Sequence, residues 1–162
     1  MFEANLPPDI RLALAYAPKR VRPLQLAAFA LDARLAGIVG NAREVLIAQI
    51  KLAWWRERLA EPPARRPVGE PLLAALADWK APVDPLLALI DGWEAMLDPE
   101  RPDVMALADG RAVLGRGLAI QAGMPHAVET AAAALRVYSS RVWSGVASTF
   151  ARCRSAARCV RR

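Results

Sequence analysis

The chain has 162 residues, 55% of them hydrophobic and 23% charged, which suits one domain with a substantial core and excludes a disordered composition. Its net charge of +6 is uneven: seven of the 22 basic residues are arginines within 136–162, where no acid occurs, so residues 1–135 carry 15 basic against 16 acidic groups. A nucleic-acid binder needs a basic face on its folded part, and a basic excess confined to the tail argues against that class of partner.

The longest uncharged run, Gly117–Val128, has 12 residues and contains Pro125, against about 20 for a membrane-spanning helix, so no transmembrane segment is expected. The start, MFEANLPPDI, has neither the basic nor the apolar region of a signal peptide. Cys153 and Cys159 match neither a CxxC zinc pair nor a disulfide framework. These features lead us to expect a reducing, cytoplasmic chain.

Strand patterns are nearly absent, and prolines punctuate stretches rich in alanine and leucine. A first helix is expected over 9–16, ended by Pro18. After the basic connector KRVRP, a second starts near Pro23 and runs to about Val39, with Gly40 as its stop. Asn41 and Glu44 have the spacing of a capping box for a third helix, which runs to about Ala60. EPPARRP is a loop. Helices follow at about 70–79, 84–98 and 103–122, the last stopping at Gly123, and a seventh runs from Pro125 to about Trp143. The expected domain, residues 1–143, is therefore an all-α bundle of six to seven helices with short connections.

Residues 144–162 read differently. Arg152, Arg154, Arg158 and Arg161 share no helical face, and the mixture of Arg, Ala, Ser and Cys is what a GC-rich gene gives when read out of frame. Two readings stay open for this segment: a basic disordered tail, or a frameshifted or truncated end.

The third helix carries adjacent tryptophans. Ile47, Ile50 and Trp54 form one stripe, and Leu52, Trp55 and Leu59 form a second beside it, the pattern of a central helix packed on two sides. The wording around it is more specific. Residues 30–36 read ALDARLA, and the helix reads Glu44, Leu46, Gln49, Ile50, Lys51, Leu52, Trp54, Trp55, Arg56. Over residues 22–59 this resembles the squalene/phytoene synthase family, and most of all its short, divergent branch. The likeness is looser to about residue 143, whereas the family continues for several more helices. The resemblance implies an isoprenoid-synthase-like helical bundle, incomplete relative to the family. Active members join two prenyl diphosphates, using magnesium ions held by two Asp-rich motifs on facing helices.

Those motifs are missing here. Where the first should stand, the sequence has Ala36, Gly37, Ile38, Val39 and Gly40, and between Asp9 and Glu44 the only acid is Asp32. After Asp109 the only acid is Glu129, and the arginine that precedes the first motif in active members is replaced by Ala33. No register shift can place two carboxylates on one face in either region. We therefore expect no catalytic residues, no metal site, and no cofactor unless the family's diphosphate site survives and takes Mg²⁺.

The remaining candidates are weaker. Asp32 reads as a helix-surface charge and His126 as a surface or cap residue. GRAVLGRG matches neither a P-loop nor a dinucleotide fingerprint, and the resemblance to the family, whose corresponding helix bends around a cavity, implies close helix packing at Gly115 and Gly117. By resemblance, Arg20 and Arg22, with Lys19, lie where active members hold diphosphate; without it they read as a solvated connector. Trp54 and Trp55 are expected in the core, one of them lining the former substrate cavity. Two functions stay open. One is a non-catalytic binding or assembly protein, as the divergent branch's mitochondrial complex I assembly factor suggests. It would take a protein partner or a prenyl or lipid-like ligand, with peripheral membrane contact. The other is a prenyltransferase of isoprenoid or carotenoid biosynthesis.

Overall fold

Prolines set the helix starts. Pro8, Pro23, Pro71 and Pro85 each occupy a first or second helical position, where a missing N–H costs no hydrogen bond and the fixed φ suits the helix. A computed structural model of the chain describes residues 2, 3, 6–80 and 82–139. It contains α1 (Pro8–Tyr16), α2 (Arg22–Gly40), α3 (Val45–Ala60), α4 (Pro71–Ala75), α5 (Asp84–Glu94) and α6 (Val104–Gln121). A 3₁₀ turn at Pro125–Ala127 leads into α7, residues 128–139. No strand occurs among the described residues, so the all-α reading holds. The expectations for Trp143 and for the 144–162 tail, with its two cysteines, fall outside them.

The expected boundaries fail in informative places. The capping box does not form: α3 starts at Val45, its N-cap is Glu44, and no side chain caps it. Asn41 instead serves the preceding helix, its amide donating to the Gly37 carbonyl at 2.8 Å. Residues 41–44 are needed for the turn, so the cap residue is spent on the helix it follows. Helix four is shorter than expected, ending at Ala75 before the chain turns; the Trp79 indole donates to the Pro82 carbonyl at 3.1 Å. Helix six behaves as read: Asp103 caps it by accepting from the Ala106 amide at 2.9 Å, and Gly123 follows it with φ +67°.

α2 is the central element. Its Ala28, Leu31 and Leu35 are fully buried against α3, α4 and α5. It is also long and apolar enough to cross a membrane by length and composition alone. Asp32 and Arg34 interrupt it, so it holds no long uncharged run, and in this fold it packs against α3, α4 and α5.

α5 and α6 lie antiparallel and unusually close, because glycines face the opposing backbone. A Cβ on Gly92 would sit 2.9 Å from Leu107 Cα, and one on Gly110 would sit 2.5 Å from the Ala88 carbonyl oxygen. Gly115 approaches Ala131 of α7 in the same way, with a Cβ placed 2.6 Å from its carbonyl oxygen. The close-packing reading of GRAVLGRG is therefore supported. We expect Gly110→Ala to destabilise the fold by about 1–3 kcal/mol through overpacking. Gly37→Ala, whose Cβ would meet nothing within 4 Å, is expected to stabilise it by about 0.5–1 kcal/mol. Denaturant midpoints of the two variants test this, and equal shifts would remove the close-packing explanation.

Candidate functional site

The single acid of α2 is not a surface charge. Asp32 points inward and meets Arg111 of α6 through Nε at 3.1 and 3.2 Å and through the terminal nitrogen at 3.0 Å. The Trp93 indole N–H of α5 donates to it at 2.7 Å. The Asp32 and Arg111 side chains are only 14% and 8% exposed. The remaining arm of Arg111 donates to Ser139 Oγ at 3.3 Å, and Ser139 donates onward to the Leu135 carbonyl. The guanidinium also lies 5.2 Å from the Trp93 ring centre and 5.6 Å from that of Tyr138. Burial pushes the Tyr138 phenol above its ordinary pKa, and the negative charge of Asp9 adds to the effect.

Sequence reasoning missed this cluster because it weighed Asp32 alone. The signal was available: α2 is apolar on almost every side, which leaves no polar face for an aspartate. Arg111 likewise sits among buried Leu107, Ala108, Gly110 and Ala112.

The tryptophans separate. Trp55 is buried at 4% exposure with Ala48, Leu52 and Leu59, as the second stripe predicts. Trp54 is 39% exposed and stands edge-on to Trp55, with ring centres 5.2 Å apart. Ile47 and Ile50 are exposed too, so α3 is packed on one side rather than two. Arg56, next in the motif, clamps α3 to α5 through Asp91 and through Glu94 at 2.8 Å.

The basic connector is not merely solvated. The Arg20 guanidinium donates to the Ala122 carbonyl at the end of α6 at 2.6 Å, and Arg22 donates to the Leu14 carbonyl at the end of α1 at 2.7 Å. Both carbonyls lie at a helix end; that of Leu14 already accepts the Ala17 amide at 3.1 Å, so Arg22 adds a second bond there. His126 is exposed, as expected.

A groove of about 800 Å³ opens between α2 and α3. Phe2, Leu6, Ala30, Ile38, Ile47 and Leu72 supply its apolar wall, and Gly37 and Asn41 lie along one side. Arg34, Arg43 and Lys51 face it, with Glu44 the single carboxylate. Trp54, Trp55, Arg20 and Arg22 all lie outside its lining. Among the described residues, no three His, Cys, Asp or Glu side chains come together in a way that could hold a metal ion.

The family model for squalene/phytoene synthase matches residues 8–109. The chain belongs to the squalene/phytoene synthase family. Its bundle is thus the all-α isoprenoid synthase fold of that family. No curated protein and no solved structure matches it. The match spans α1 to α5 and the first part of α6. Within it, α2 and α3 flank the groove, and Gly37 and Ile38 of α2 line it.

The Asp32–Arg111 pair gives a direct test. Arg111→Ala strands a buried carboxylate and is expected to cost about 3–5 kcal/mol, whereas Asp32→Leu combined with Arg111→Met removes both charges and should recover most of that loss. Urea unfolding of the two variants distinguishes a buried, coupled pair from a solvated one, for which both would be near neutral.

Proposed function

We propose that this chain uses the squalene/phytoene synthase fold to bind rather than to transfer prenyl groups, as a non-catalytic binding or assembly protein. The observation that carries this reading is the state of Asp32. Departure of a diphosphate requires carboxylates free to hold the ions clustered on it. α2 has one carboxylate, and Arg111 and Trp93 occupy it. The groove wall at residues 37–41 carries none, and the one acid in the lining faces three cations. This donor set does not fit a Mg²⁺–diphosphate clamp, and we derive no step through one.

The fold remains suited to holding a ligand. The groove has a volume in the range of about 300–1,000 Å³ typical of small-molecule sites, and it joins an apolar wall to a few charged groups. α3 adds exposed Leu46, Ile50 and Trp54 on its outer side, an apolar face available to a protein partner or a membrane surface.

The test is turnover. The purified chain, incubated with farnesyl or geranylgeranyl diphosphate and Mg²⁺, should release no diphosphate above a protein-free control. Release that depends on Mg²⁺ and is lost in EDTA would establish the prenyltransferase alternative and end the non-catalytic reading.

A further inference from the structure

The groove between α2 and α3 has a charge arrangement that points to a particular ligand chemistry. Of its three cations, Arg34 lies 3.6 Å from Glu70, which also caps α4. Arg43 and Lys51 have no ion-pair partner among the described residues, and both line the groove. Arg43 lies in the turn before α3, and Lys51 almost two turns into that helix. Below them the wall is apolar, with Phe2, Leu6 and Ile38. A concave wall concentrates the field of the charges that line it, so an anion entering here meets unneutralised positive charge with an apolar surface beside it. A divalent cation entering the same space meets three cations and one carboxylate, and is repelled.

We propose that this groove binds a single-chain acidic amphiphile directly. Its phosphate or carboxylate head rests on Arg43 and Lys51, its chain lies along Phe2, Leu6 and Ile38, and no divalent cation takes part. The inference rests on the binding reading above and names the ligand class of that site. Gly37 is the point where the groove can be closed without disturbing the fold. It is exposed on α2 and lines the cavity, and a Cβ there meets nothing within 4 Å.

Equilibrium dialysis of dodecyl phosphate, below its micelle-forming concentration and in EDTA, tests the proposal on the full chain. Saturable binding is expected, unchanged by added Mg²⁺ and weakened by salt. Laurate should bind as well, showing that the anionic head rather than phosphorus is recognised. Dodecanol and inorganic phosphate, each half of the ligand, should bind far more weakly. Reversing both charges with Arg43→Glu and Lys51→Glu should weaken binding about tenfold or more, since charge-assisted contacts hold the head. Gly37→Phe should abolish binding with the helical circular dichroism intact and no loss of melting temperature. Arg11→Glu, on α1 outside the groove, should change nothing.

The proposal is overturned if binding is absent, if it appears only with Mg²⁺, if dodecanol binds as tightly as the phosphate, or if the double charge reversal leaves affinity unchanged. Dodecyl phosphate has no diphosphate to release. Failure here therefore leaves the non-catalytic reading standing, and diphosphate release in the turnover assay fails that reading without touching this measurement.

Discussion

A carboxylate inside an all-helical core is stable only when donors replace the water it has lost. Asp32 meets that condition with the guanidinium of Arg111 and the indole N–H of Trp93. Arg111 in turn is held between two aromatic rings and bonded to Ser139. The cluster therefore fixes α2, α5, α6 and α7 relative to one another. Few other polar contacts reach across the bundle interior, and a purely apolar core of leucine and alanine tolerates sliding that this cluster forbids. It also decides the chemistry, because the one acid of α2 is committed to structure.

The pair depends on how closely the helices approach. Arg111 reaches α2 from a helix whose neighbours on both sides are admitted by glycine: Gly110 against Ala88 of α5 and Gly115 against Ala131 of α7. A side chain at either position would push α6 outward. The segment GRAVLGRG thus serves one geometric end. Its glycines bring three backbones together, and its first arginine sits where they meet. Charge at a helix surface would not need such crowding; a buried ion pair does, because its strength relies on excluding water.

The helices are legible in the sequence because many of their ends are written in proline and in Gly123, which act locally. What was not legible depends on neighbours. Asn41 has the spacing of a cap for either adjacent helix, and only the length of the turn decides that it closes α2. The two stripes of α3 look equally apolar, yet the Leu52, Trp55 and Leu59 stripe is buried while Ile47, Ile50 and Trp54 stay exposed. Periodicity reports what a face could cover, and not what is there to cover it. Asp32 was misread for the related reason that its partner lies 79 residues away. Arg20 and Arg22 sit in a connector by sequence, and each proves to close the end of a helix.

The charge of the groove bears on catalysis as well as on binding. Prenyl transfer develops positive charge on carbon as the diphosphate leaves, and a site that promotes it must be more favourable to that charge separation than to the bound substrate. Heterolysis of the carbon–oxygen bond leaves its electron pair on the diphosphate, so cations such as Arg43 and Lys51 favour the departing anion as well as the bound one, and the requirement they leave unmet lies at the carbon. Glu44 is the single carboxylate of the lining beside Arg34, Arg43 and Lys51, so the groove offers a developing carbocation little compensating negative charge. Aromatic faces could offset this, but Trp54 and Trp55 are outside the groove and Phe2 is the one aromatic in its lining. On this argument the binding reading does not rest on missing aspartates alone. A lining with three cations, one carboxylate and one aromatic ring supplies little that would stabilise the carbon of a prenyl group as its diphosphate leaves.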